Sequence, residues 1–157
     1  MASATYELPA LTLALLTPAD RLRAKSFTGY SMEWLPILAG AANTQAQFTI
    51  SSDVDFIGLF ITGTATDTAS PPNIQSNYMA MLQLKAADRQ LFDKPVQWNV
   101  VAGSAFSPFI LPFPLWLPRA TTLTGFLSSL SSINTNVRLA MFGFLLHTYN
   151  KTTSRGF

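Results

Sequence analysis

At 157 residues the chain has the length of one domain able to bury a real core. Only 11% of its residues are charged while 48% are hydrophobic, against roughly a quarter charged in an ordinary globular protein, so the surface is poor in charge. The net charge of +2 is spread along the chain, the basic cluster Arg21-Leu22-Arg23-Ala24-Lys25 is too small for a nucleic-acid footprint, and the absence of cysteine excludes disulfides and thiolate metal sites.

The segment from Met1 to about Ser26 lacks period-2 alternation, carries Pro9 and Pro18, and reads as an N-terminal arm ahead of a domain over residues 27–157. Within it, Leu11 to Leu16 is apolar, yet the residues before it hold Glu7 and no Lys or Arg, which does not suit a signal peptide. The expected product is therefore made in the cytoplasm. A helix over Pro18 to Lys25, with Thr17 as N-cap and Pro18 at its first position, competes with an irregular terminus.

From Phe27 onward short strands alternate with turn residues. The predicted strands are Phe27 to Trp34, Ala46 to Ser51, Phe56 to Thr66, Asn77 to Leu84, Gln90 to Phe92, Val96 to Val101, Thr121 to Leu130 and Val137 to Thr148. The breaks carry turn chemistry, as in Ala69-Ser70-Pro71-Pro72-Asn73 and Asp93-Lys94-Pro95. This spacing predicts an all-β, antiparallel β-sandwich of jelly-roll type with about eight strands.

Two of these strands are apolar on both faces. Phe56 and Phe60 alternate with Ile57, Leu59 and Ile61, and in the last strand Val137, Leu139, Met141 and Leu145 alternate with Phe142, Phe144 and Leu146. A sandwich strand ordinarily keeps one face wet, so a second apolar face calls for a second cover. The arm can supply part of it, and another subunit the rest. A homo-oligomer, dimer or trimer, is expected.

Catalytic and ligand chemistry finds little support in the sequence. His147 is the sole histidine, so a triad would need it together with Ser128, Ser129 or Asp53, brought in by the fold alone. Asp53, Asp55 and Asp67 have oxygen ligands suited to a hard cation, although Asp53 and Asp55 equally suit a turn into a strand. No Gly-rich phosphate loop is present. The expectation is a protein that is not an enzyme, with no cofactor, no metal and no small-molecule substrate.

The stretch Ser107 to Gly125, SPFILPFPLWLPRATTLTG, places four prolines among large apolar residues. The prolines break any membrane span, and the spacing is wrong for a polyproline ligand. It reads as an extended crossing loop buried by protein, either its own domain or a neighbouring subunit. The interface residues so singled out are Phe109, Phe113, Leu115 and Trp116, with Phe142 and Phe144 from the last strand.

The succession from Pro108 to Leu146 resembles the C-terminal half of small β-sandwich structural proteins of tailed bacteriophages. In these a P-F-x-x-P-x-P element leads into LPxxTxLT, a Leu/Ser/Asn-rich stretch and a last strand of the type VRLAMFGF. The resemblance extends from Asp53 to about Leu146 and implies a virion protein. A capsid decoration or cement subunit on the outer surface of the phage head would bind the major capsid protein as well as itself. A neck, collar or tail host-attachment subunit is the alternative, with Tyr30, Trp34, Tyr78 and Trp98 as its candidate receptor or glycan surface. A hydrolase is the remaining alternative. Phe113 and Trp116 depart from the family pattern, which has polar residues where a free surface is served.

Overall fold

The computed structural model describes residues 18–19, 24–87, 89–104 and 107–147. Among the described residues nine strands form: β1 (Ala24–Ile37), β2 (Thr44–Thr49), β3 (Val54–Asp67), β4 (Ala80–Ala86), β5 (Arg89–Gln90), β6 (Val96–Gln97), β7 (Phe109–Leu117), β8 (Thr122–Ser129) and β9 (Thr135–His147). One sheet has the order β1-β9-β3-β7, the other β2-β8-β4-β5 with β6 also against β4. Every pairing between these strands is antiparallel.

The pairs are nested. First strand pairs with last, β2 with β8, β3 with β7, and β4 with the short β5 and β6. One long hairpin rolled up on itself gives this order, and that is a jelly roll. The antiparallel sandwich expected from the strand spacing is the observed fold.

Alternation sets the core. In β4, Ala80, Leu82, Leu84 and Ala86 are buried and the residues between them half-buried; in β8, Leu123, Gly125, Leu127 and Ser129 do the same. These meet Met32, Trp34 and Ile37 of β1, Phe56 and Ile61 of β3, and Val137, Leu139 and Met141 of β9 in one cluster between the sheets. Trp34 anchors it: its ring meets Trp98 edge-on and its indole N–H donates to the Thr44 carbonyl at 2.9 Å. The buried polar end of the large side chain is thereby satisfied.

Three local expectations are corrected. The proline-rich segment is a strand, not a crossing loop. It pairs with β3 through Phe109, Ile110, Leu115, Trp116 and Leu117, while Leu111 to Pro114 form a bulge opposite Leu59. Pro112 and Pro114 thus occupy positions where the ladder needs no N–H donor, and β7 is an edge strand, the place in a sheet that tolerates proline.

The strand expected over Val96 to Val101 survives only as Val96–Gln97, because Trp98–Val101 closes one helical turn. Trp98 and Val101, three apart, share its buried side. The stretch satisfies both periods, and packing of Trp98 against Tyr78 and Trp34 selects the helical one.

Pro18 and Ala19 are helical as expected, but Ala24 and Lys25 already belong to β1, so the strand starts inside the span read as arm. The remainder of the arm, including Thr17 and Leu11 to Leu16, lies outside the described residues, as does Thr148.

Candidate interaction surface

Along β9, Val137, Leu139 and Met141 face the core between the sheets, so Arg138, Ala140, Phe142, Phe144 and Leu146 face outward from the four-stranded sheet. Ile57, Leu59, Phe60, Phe144 and Leu146 form a second buried cluster there, with Phe142 packed against it. In β3 a one-residue bulge at Leu59 lies between the Gly58–Gly143 and Phe60–Phe142 pairs. It turns both Leu59 and Phe60 outward, which a regular strand would not do.

The register arranges this face in cross-strand rows. Phe27, Phe144, Ile57 and Trp116 form one row through all four strands, and Gly29, Phe142, Phe60 and Ile110 the next. Farther along come Ser31, Ala140 and Thr62, then Glu33, Arg138 and Thr64. The face is therefore apolar at one end and polar at the other, where Glu33 and Arg138 pair at 3.1 Å. That pair is exposed and adds little stability.

Aromatic packing organises the apolar end. Phe27 stacks on Phe60 and Phe142 and meets Phe144 edge-on, with ring centroids 5.8, 6.3 and 5.2 Å away, and Phe60 stacks on Phe142 at 5.3 Å. Gly29 makes this possible, because a Cβ there would sit 2.7 Å from the Phe142 ring. Around the buried centre the rim is open: Phe27 is 39% exposed, Trp116 41%, Ile110 63% and Phe113, on the bulge, 83%.

Of the six residues singled out from the sequence, Trp116, Phe142 and Phe144 come together on this face, and Phe113 stands beside it on the bulge. Phe109 and Leu115 point the other way and pack against the inter-sheet core. Phe27, Ile57, Phe60 and Ile110 complete the face and were not singled out. Phe27 belongs to a strand whose outward face otherwise reads as small and polar, and only the register places it beside the aromatics of β9.

Of the alternative triad, Asp53 adjoins Val54, the ladder partner of His147, but the candidate serines stand elsewhere. Ser128 and Ser129 end β8, beside the turn into β9, whereas His147 is the last residue of β9. A strand of that length separates its ends by about 40 Å. Asp53 and Asp55 stand at the start of β3 and Asp67 at its far end. Asp55 accepts the Arg119 N–H at 2.9 Å. Asp67 accepts the Asn73 side-chain amide and the N–H groups of Asn73 and Ala69, which together hold its carboxyl below the usual range. Among the described residues no group of three or more His, Asp or Glu is placed to hold a metal ion.

Trp34, Tyr78 and Trp98 are core residues, and Tyr30 is half-buried against Phe48 and Phe56. Three of the four are therefore buried, and Tyr30 keeps part of its surface exposed. Comparison with protein-family models, with curated proteins and with solved structures finds no match to this chain.

Proposed function

We propose that this chain is a non-enzymatic structural subunit of a virion, a decoration or cement protein that associates with itself as a dimer or trimer and bridges major capsid protein subunits on the outside of a tailed-phage head. The observation that carries the self-association is the apolar rim of the four-stranded sheet, where Phe27, Ile110, Phe113 and Trp116 are exposed around a single aromatic cluster. Contiguous apolar surface of this kind marks an interaction site in a soluble protein. Aromatic anchors on such a surface carry a disproportionate share of binding energy.

The virion assignment rests on the resemblance of Pro108 to Leu146 to phage structural proteins and is compatible with a jelly roll, an architecture that serves capsid proteins among other roles. The neck or tail position is the second reading. Of the aromatic residues named for its receptor surface, Trp34, Tyr78 and Trp98 lie in the core and Tyr30 is half-buried.

Sedimentation velocity of the purified protein, alone and with empty heads, tests the proposal. The expected result is an oligomer that co-sediments with heads in a fixed ratio to the capsid subunit. A stable monomer that never binds heads refutes it, and a stoichiometry of one ring per particle moves the protein to the neck or tail.

A further inference from the structure

A sheet edge left unpaired is a template for another strand, and proteins blunt such edges with prolines, charges, bulges or very short strands. Most edges of this sandwich are blunted in that way. β7 carries Pro112 and Pro114 on a bulge, β1 carries Lys25, Glu33 and Pro36 with irregular pairing at both ends, and β5 and β6 are two residues each. β2 has none of these devices. Its sequence TQAQFT holds no charge, proline or glycine, and all six residues pair with β8 without a register shift.

The ladder shows which backbone groups of β2 are free. One step beyond the strand the Ile50 N–H donates to the Thr121 carbonyl, and from the other side of β8 the Ala87 N–H donates to the Thr122 carbonyl. Bonded and non-bonded pairs alternate along an antiparallel ladder, so Ala46 and Phe48 bond to β8 while Gln45, Gln47 and Thr49 turn their N–H and C=O groups to the open edge. Among the described residues no strand pairs with that edge. β1 packs beside β2 at the corner of the sandwich without a ladder, its Trp34 indole taking the carbonyl of Thr44, the first residue of β2. The side chains of Gln45, Gln47 and Thr49 are exposed, and the Gln45 amide donates to that of Gln47 at 3.5 Å.

We propose that this edge pairs with the same edge of a second copy, antiparallel and across a two-fold axis at Gln47, so that the five-stranded sheets of two subunits run on as one. The strand's own pattern selects the occupant. An axis at Gln47 sets Gln47 against its own copy and Gln45 against Thr49 of the partner subunit, so every outward-facing backbone group of these residues finds a complement. An axis at Gln45 or Thr49 leaves some of them unpaired. A two-fold axis also opposes like with like, and a charged centre would repel itself. A glutamine amide both donates and accepts, so it complements its own copy.

The pairing does not rest on the virion reading. It lies on the opposite sheet from the aromatic rim of Phe27, Ile110, Phe113 and Trp116. A subunit using both surfaces therefore links rim-type oligomers in pairs.

Sedimentation equilibrium up to millimolar protein, on the native chain, Gln47→Lys, Gln47→Glu and an equimolar mixture of the two variants, tests the proposal. Each variant alone opposes like charges at the axis, and its assembly should hold half as many copies as the native one at the same concentration. The mixture should regain the native mass, because lysine then faces glutamate. Folded variants that keep the native mass, or a mixture that stays at half, overturn the self-paired edge. The readout is a ratio: without the rim contact it is dimer to monomer, and with it a larger pair of values, so the two surfaces fail separately. Amide exchange gives a second measurement that needs no variant. Protection at Gln45, Gln47 and Thr49 should rise with protein concentration, while Ala46 and Phe48 are protected throughout. No rise, or full protection of all five in dilute protein, also overturns the pairing. A rise seen only when empty heads are added overturns self-pairing and gives the edge to a strand of the capsid subunit.

Discussion

Trp116 of β7 stands directly opposite Ile57 of β3 in the ladder, and the two differ sharply in exposure, 41% against 3%. Directly paired residues share a face, so Trp116 marks the edge of the apolar patch whose interior Ile57 helps to form. Replacing Trp116 with Ala should leave the inter-sheet core intact, because that core takes Leu115 and Leu117 from β7 and not Trp116. Self-association should weaken by ~2 kcal/mol or more, the usual cost of truncating an aromatic anchor. Sedimentation equilibrium with a parallel thermal melt separates the outcomes: a lost oligomer with a preserved melt supports the interface, whereas an unchanged oligomer removes Trp116 from it.

Gly143 of β9 pairs with Gly58 of β3, and a Cβ at Gly143 would overlap the carbonyl oxygen of Ile57. Backbone cannot rotate out of the way as a side chain can. Gly143→Ala should therefore destabilise the fold by about 3 kcal/mol, the upper part of the overpacking range. Urea unfolding reads this directly, and an unshifted midpoint would contradict so close an approach of the two central strands.

Tyr78 is 3% exposed, and its hydroxyl has no hydrogen-bond partner among the described residues. Burial raises its pKa above the ordinary phenol value, with the Ser129 hydroxyl acting weakly in the opposite direction. A raised folded-state value means that the stability associated with neutral Tyr78 is complete below the unfolded phenol pKa and is lost as pH rises through the folded one. Tyr78→Phe should flatten the alkaline limb of the stability profile. At neutral pH it should be neutral or stabilising by ~1 kcal/mol, since an unsatisfied buried donor is removed. Chemical unfolding across the alkaline range checks both parts.

Asp67 ties down the loop that follows β3 through its bonds to Ala69 and Asn73. Its lowered pKa gives the opposite sign: the loop contribution is present above the ordinary carboxyl value and fades as pH falls through the lowered one. Protection of the Ala69 and Asn73 amides, measured as exchange relative to the unstructured-chain rate at each pH, should fall on acidification in the native protein. In Asp67→Asn protection should be lower at neutral pH and insensitive to acid, and a native-like profile in that variant would remove the carboxylate from the role.

The strand spacing and turn chemistry were enough to determine the sandwich, because period-2 burial in stretches such as Ala80 to Ala86 and Thr122 to Ser129 is written locally in the side chains. The doubly apolar faces of Phe56 to Ile61 and Phe142 to Leu146 were legible for the same reason. Tertiary structure alone decided what those faces meet. The nested pairing puts β3 and β9 side by side at the centre of one sheet, so two outward apolar stripes far apart in the chain become one patch. The bulges at Leu59 and at Leu111 to Pro114 shift register by local backbone geometry, turning Phe60 outward and making room for prolines inside a strand. Phe109 and Leu115 show the limit most plainly: within a proline-rich stretch their direction depends on which residues the neighbouring strand pairs, and pairing between strands some fifty residues apart is a property of the whole fold and not of the segment.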